Sequence, residues 1–333
     1  MLQEAIYTNY GIQLDRREVS MRYEIFRSGD TVYTVIPISE IDEEELMERL
    51  KLSQFMISQG DAYVSSFVMS KHGTYVSLNG DKKFLLLANQ RLEESRPYKM
   101  GKKLAKFHAR GRMFAEPVKK TNRIGKWKEL WEKRMDQMEA VWREKMHSHP
   151  SNDFERLFVD SFPYYMALGE NAIQYLVDTE IDQDPQGFDA ATICHERFTN
   201  DLWVGNYCVK NPFDWVIDHA GRDLAEWIRQ HYLQHIHTHQ PGIGQFADEY
   251  RSLSEPSSFG WRLTYARLLF PVHYFETIEE YYVNGSETRK KILEEQLEKY
   301  TNQSSYYEEF LRRFFESVRV PAKKLQIIKV DWL

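Results

Sequence analysis

Only two cysteines, Cys194 and Cys208, occur among the 333 residues. Two thiols supply neither a disulfide framework nor a four-cysteine zinc site, so both read as reduced core residues of a cytosolic protein. A surplus of positive charge is also missing: 44 Lys and Arg stand against 50 Asp and Glu, a formal net charge of −6. That balance leaves no electrostatic footprint for nucleic acid or an anionic membrane surface, and neither is expected as a partner. Long apolar runs are absent as well. The opening MLQEAIYTNYGIQLDRRE lacks the charged-then-apolar pattern of a signal peptide, and the apolar run at 84–88 is far too short to span a bilayer. There is no internal repeat, no low-complexity tract and no P-loop.

Aromatic residues are plentiful, with 8 Trp, 20 Tyr and 19 Phe making up 14% of the chain. Together with 42% hydrophobic residues they specify a folded core, and the length allows about two domains of ~150 residues. The stretches 1–92 and 93–333 are patterned differently. Residues 19–27 and 31–38 are β-branched and aromatic, and Ser28-Gly29-Asp30 supplies a hairpin turn between them. Ser39 and Asp42 resemble a capping box ahead of a helix over 40–59 whose stripe is Leu46, Leu50 and Met56/Ile57. Short strands are expected at 64–69, 74–78 and 83–87, making a five-stranded sheet.

Beyond Pro97 the period becomes helical. Met100, Leu104 and Phe107 mark one helix with Gly111 as its C-cap, and Trp127, Trp131, Met135, Met138 and Trp142 mark a longer one over 126–146. Further helices are expected over 152–178, 222–237, 261–283 and 286–320. Breaks are expected near Pro163, Pro271 and Asn302, with a Pro/Gly/Ser-rich connector around 240–260. Two short strands, 190–194 and 215–217, interrupt the helices.

Three local patterns carry a resemblance. Met100-Gly101-Lys102-Lys103-Leu104-Ala105-Lys106-Phe107-His108 resembles the LGxxLAxLH helix of aminoglycoside and choline phosphotransferases. Trp215-Val216-Ile217-Asp218, followed by Arg222-Asp223-Leu224-Ala225, resembles their strand ending in a metal-binding Asp and the DLA helix after it. Ile193-Cys194-His195 resembles the strand entering their CHGD loop. Within that superfamily the chain is similar to the spore coat CotS family. The resemblance implies an α+β, two-lobed protein-kinase-like fold, with a small β-rich lobe at 1–92 and a large helical lobe at 93–333. It also implies synthesis in the cytoplasm of a sporulating bacterium, association with the spore coat, and coat proteins as partners.

Phosphoryl transfer needs a carboxylate at the attacking hydroxyl, oxygen ligands for magnesium and a cation on the nucleotide phosphates. Two registers of the family's H-x-D-x-x-x-x-N loop compete. Aligning His195 with the family histidine puts Arg197 at the base position and Leu202 at the metal position, and neither can do the work: a guanidinium accepts no proton. Sliding by four makes Asp201 the base and leaves Asn206 and Asp218 as magnesium ligands. The strand running into His195 favours the first register, and the five-residue step from Asp201 to Asn206 favours the second. In either, the strand 31–38, which the resemblance matches to the family strand that ends in a phosphate lysine, has no lysine, and Ser28-Gly29-Asp30 has one glycine where a phosphate-cradling loop has more. The expected function is therefore a spore coat protein with a degenerate phosphotransfer site. The alternative is an active phosphotransferase using ATP and magnesium through Asp201, Asn206 and Asp218.

Other constellations read more plainly. His231, His235, His237 and His239 include an i, i+4 pair but no motif carboxylate, and read as exposed histidines at a helix end. Cys194 and His195 are sequence neighbours without an activating environment. Gly242-Ile243-Gly244, beside Pro241, reads as a loop. Three tandem tyrosine pairs, Tyr164-Tyr165, Tyr281-Tyr282 and Tyr306-Tyr307, can each place one ring in the core and one in solvent. The exposed rings are candidate contact or cross-linking points in an assembly.

Overall fold

Alternation of apolar residues folds the N-terminal stretch as a sheet, with helix α1 (Leu2–Tyr10) on one face and helix α2 (Glu43–Ser58) following its third strand. The strands are β1 (Arg16–Glu18), β2 (Glu24–Ser28), β3 (Thr31–Pro37), β4 (Ser66–Phe67), β5 (Val76–Asn79) and β6 (Lys82–Asn89). The computed structural model describes residues 2–18, 23–39, 42–90, 99–203 and 208–330; positions 19–22 of the expected first strand lie outside them. Among the described residues the sheet has six strands in the order β1-β2-β3-β6-β4, with β5 also on β6. The extra strand relative to expectation is β1, whose Arg-Arg-Glu sequence has no apolar alternation to announce it. Ser28 pairs with Thr31, so Gly29-Asp30 closes the β2–β3 hairpin, and Gly29 takes a φ of 55° that glycine adopts without a Cβ penalty.

The chain forms two compact units assembled from separate stretches. The first comprises 1–100, 106–122 and 192–218; the second comprises 101–105, 123–191 and 219–333. The units therefore interleave along the sequence.

In the first unit, Phe26, Val35, Phe84 and Leu86 bury one sheet face against Ile6 of α1. The other face, Ile36, Ile38, Leu85 and Leu87, packs on Phe213. Asp42, not Ser39, caps α2: its carboxylate accepts the Glu45 amide at 2.8 Å, and its charge suits the positive end of the helix dipole. The buried stripe of α2 is Leu50, Leu52, Ser53 and Met56, while Ile57 is 40% exposed. Ser53 fits a core position because its hydroxyl donates to the Ser65 carbonyl at 2.7 Å. The unit also holds the end of α3 (Met100–Gly111) and an antiparallel pair, β7 (Thr192–His195) with β8 (Trp215–Asp218).

The second unit is helical: α4 (Trp127–Ser148), α5 (Asp153–Asp182), α6 (Gly221–Gln234), α7 (His239–Arg251), α8 (Ser258–Leu269), α9 (Val272–Val283), α10 (Glu287–Asn302), α11 (Ser304–Arg312) and α12 (Phe314–Ser317). Pro163 does not break α5, which runs for 30 residues. Proline removes the amide that would bond the Val159 carbonyl, and the Trp142 indole N–H donates to that carbonyl instead, at 3.0 Å. The expected connector around 240–260 is largely α7. Pro241 sits in its first turn, where an amide is not needed. Gly242 is there for packing: a Cβ would fall 2.3 Å from the His231 Nε2. The tyrosine pairs lie on α5, α9 and α11, with Tyr165 and Tyr307 buried and Tyr306 51% exposed. Tyr281 stacks on Phe154 at 3.6 Å. No helix among the described residues is long and apolar enough to cross a membrane.

Candidate functional site

The β7–β8 pair and the stretch 196–203 that follows β7 carry the described residues that the resemblance assigned to phosphotransfer: His195, Arg197, Asp201, Leu202 and Asp218. Thr192 pairs with Asp218 and His195 with Trp215, and all four positions of β7 are buried. This pair lies close against α3 because residue 111 has no side chain. A Cβ on Gly111 would fall 2.6 Å from the Thr192 hydroxyl and 2.7 Å from the Ile193 amide. Gly111 is thus required for close approach; the C-cap is Arg112. The Thr192 hydroxyl donates to the His108 carbonyl at 2.8 Å and fixes the contact.

His195 ends β7 fully buried in an aromatic cluster, its ring 5.0 Å from Phe107, 4.9 Å from Phe198 and 5.1 Å from Trp203. The stretch 196–203 leaves from there. Arg197 is half-buried, Asp201 is exposed and Leu202 turns back to bond the Thr199 carbonyl. Trp203 is buried with a φ of 68°, a left-handed backbone that bulky residues rarely adopt. Asp218 is wholly buried at the end of β8, its carbonyl near the Cys194 thiol at 3.6 Å. Asn206 lies outside the described residues. Cys194 and Cys208 are both buried and not joined in a disulfide.

The end of β3 bears on the cation requirement. As the third strand, running into helix α2, it occupies the place where the resemblance puts a phosphate lysine. Its end instead buries Ile36 (2% exposed), with Ile38 beyond it, against Leu85, Leu87 and Phe213. Helix α2, which follows β3, buries an acidic residue, Glu48. Glu48 accepts the amides of Lys119 at 2.6 Å, Lys120 at 3.1 Å and Thr121 at 2.9 Å, and the Thr121 hydroxyl at 2.9 Å. Burial pushes the Glu48 carboxyl up, and these bonds outweigh it, holding it below the usual carboxylate range. Arg49 beside it reaches the Pro212 and Trp215 carbonyls at 3.0 and 3.3 Å.

A family model described as "Spore coat putative kinase YutH" matches residues 3–314. The chain belongs to this family. The endospore coat-associated protein YutH of Bacillus subtilis (strain 168) is 41% identical over 336 residues, covering 100% of this chain and 98% of that protein. Among solved structures, an aminoglycoside phosphotransferase from Alicyclobacillus acidocaldarius superposes with a TM-score of 0.71 at 13% identity, covering 96% of this chain and 97% of that one. A microcompartment-associated aminopropanol kinase gives a TM-score of 0.61 at 13% identity, over 95% and 97%. At such identities the likeness shows the fold, which is α+β and kinase-like.

This YutH-family chain also buries a charged cluster that sequence reasoning missed. Lys210 Nζ donates to the Asp61 carboxylate at 2.6 Å, and Arg110 donates to the same oxygen at 2.8 Å. Asp61 is 1% and Lys210 6% exposed. Burial lowers the Lys210 pKa, and the Asp61 charge opposes that fall. No motif joins residues 61, 110 and 210, so only the fold brings them together.

Proposed function

We propose that this YutH-family chain is a spore coat component that uses a kinase-like scaffold for assembly, with a phosphotransfer site no longer equipped for catalysis. The observation that carries this reading is the aliphatic end of β3. Ile36 and Ile38 offer a triphosphate no charge, and Glu48 is committed to the amides of 119–121. These residues do not fit magnesium-ATP, whichever register the 196–203 loop follows. Asp218 remains as a carboxylate, but it stands fully buried. The coat setting rests on the family and on the coat-associated Bacillus relative. On this reading the chain is made in the cytoplasm of a sporulating cell and joins other coat proteins. The exposed ring of Tyr306 is a contact candidate.

A second reading is favoured by one observation: Asp201 is exposed. In that case Asp201 is the base, with Asn206 and Asp218 on magnesium. An Asp201→Asn allele in sporulating cells separates the two, because an exposed side chain can be exchanged without disturbing the core. Coat incorporation at the wild-type level is expected. Loss of the coat phenotype at unchanged protein level would favour the active enzyme.

A further inference from the structure

Lys210 is placed as a ligand rather than as a surface cation. Its backbone is pinned, the amide donating to the Tyr63 carbonyl at 3.0 Å and the carbonyl accepting the Ser65 amide at 3.0 Å. From that fixed point the ammonium reaches Asp61 and lies 4.6 Å from the Trp203 ring centroid, 5.2 Å from Phe107 and 6.0 Å from Tyr63. A carboxylate and several π faces in a water-poor pocket are what an alkylammonium ion needs for tight recognition. Asp61 also has Arg110, so its charge is answered from one side even without the lysine.

We propose that Asp61, Tyr63, Phe107 and Trp203 form an alkylammonium site that the chain fills with its own Lys210 side chain, and that filling it sets the 196–203 loop. The link to the loop is Trp203, which holds an unfavourable left-handed backbone directly beneath the ammonium. The same ring packs edge-on to Phe198 at 4.9 Å and to Phe107 at 5.2 Å, so the cage and the loop share one aromatic cluster. This assignment does not depend on whether the loop retains chemistry.

The test is chemical rescue in the full chain. Lys210→Ala removes three methylenes and the ammonium, the shape of n-propylammonium. The variant is expected to have a lower Tm and faster hydrogen exchange over 198–203. n-Propylammonium should restore both saturably, leave the wild type unmoved, and outperform n-propanol. A Tm equal to wild type, no variant-specific rescue, or equal rescue by n-propanol would overturn the proposal. If Lys210→Ala does not fold even with the amine, Lys210→Met decides, because it keeps the apolar stem without the charge. A lower Tm and faster loop exchange in Lys210→Met support the site, and wild-type values for both overturn it.

Discussion

The carboxylate of Glu48 accepts both the amide and the hydroxyl of Thr121, each at 2.9 Å. With the Lys119 and Lys120 amides on its other oxygen, one side chain satisfies three consecutive backbone donors. Helix α2 is bolted to 119–121 by this acid, as it is to 212–215 by Arg49.

Glu48→Ala should therefore be costly. The Thr121 amide and hydroxyl are the buried donors, and each left unsatisfied costs about 1–3 kcal/mol, so a loss of ~2 kcal/mol or more is expected from urea denaturation. Glu48→Gln retains an acceptor oxygen and should lose less. A change in Glu48→Ala within ~0.5 kcal/mol, the range of ordinary surface substitutions, would contradict the bolt. The pH dependence follows in sign. Because the folded carboxyl is held below its ordinary value of 4.5, its stabilisation is present above that pH and is lost as pH falls through the lowered value.

His231 predicts an acid effect at higher pH. Burial, then the neighbouring His235 and His239, push its pKa down from 6.5 to about 4. The unfolded chain takes up this proton before the folded one does. Stability is whole above 6.5 and drains away as pH falls toward 4. His231→Gln should flatten the Tm-versus-pH curve in that window. A slope identical to the wild type would remove His231 from the effect.

Gly111→Ala tests the close packing under β7. The added Cβ meets the Ile193 backbone amide at 2.7 Å, and backbone cannot swing aside as a side-chain tip can. Overpacking of this kind costs about 1–3 kcal/mol, and thermal denaturation should show it. Gly187→Ala, where nothing lies within 4 Å of the new carbon, is the matched control and should be near neutral.

Strong periodic elements were legible in the sequence: β3 with its turn at Gly29, the aromatic stripe of α4, and the pairing strand that ends in Asp218. Local signals failed where a distant side chain changed their meaning. Pro163 reads as a break until the Trp142 indole supplies the missing donor. Gly111 reads as a cap until Thr192 is placed beside it. Gly242 and Pro241 read as linker until His231 packs on the helix they begin. At the candidate site, the missing β3 lysine was visible in the sequence, because an absence from one strand needs no partner to be seen. The Asp61–Lys210–Arg110 cluster was not, since its members are separated by 49 and 149 positions from Asp61 and share no motif.

The central claim is that this kinase-like scaffold does not engage a nucleotide for chemistry, and thermal denaturation with millimolar ATP or GTP, with and without magnesium, tests it most directly. A ligand at 100 times its Kd stabilises the native state by ~2.7 kcal/mol, which a melting curve resolves. The account predicts an unchanged Tm in all four conditions. A saturable, magnesium-dependent rise accompanied by release of the matching nucleoside diphosphate, ADP from ATP or GDP from GTP, that Asp201→Asn abolishes would contradict it.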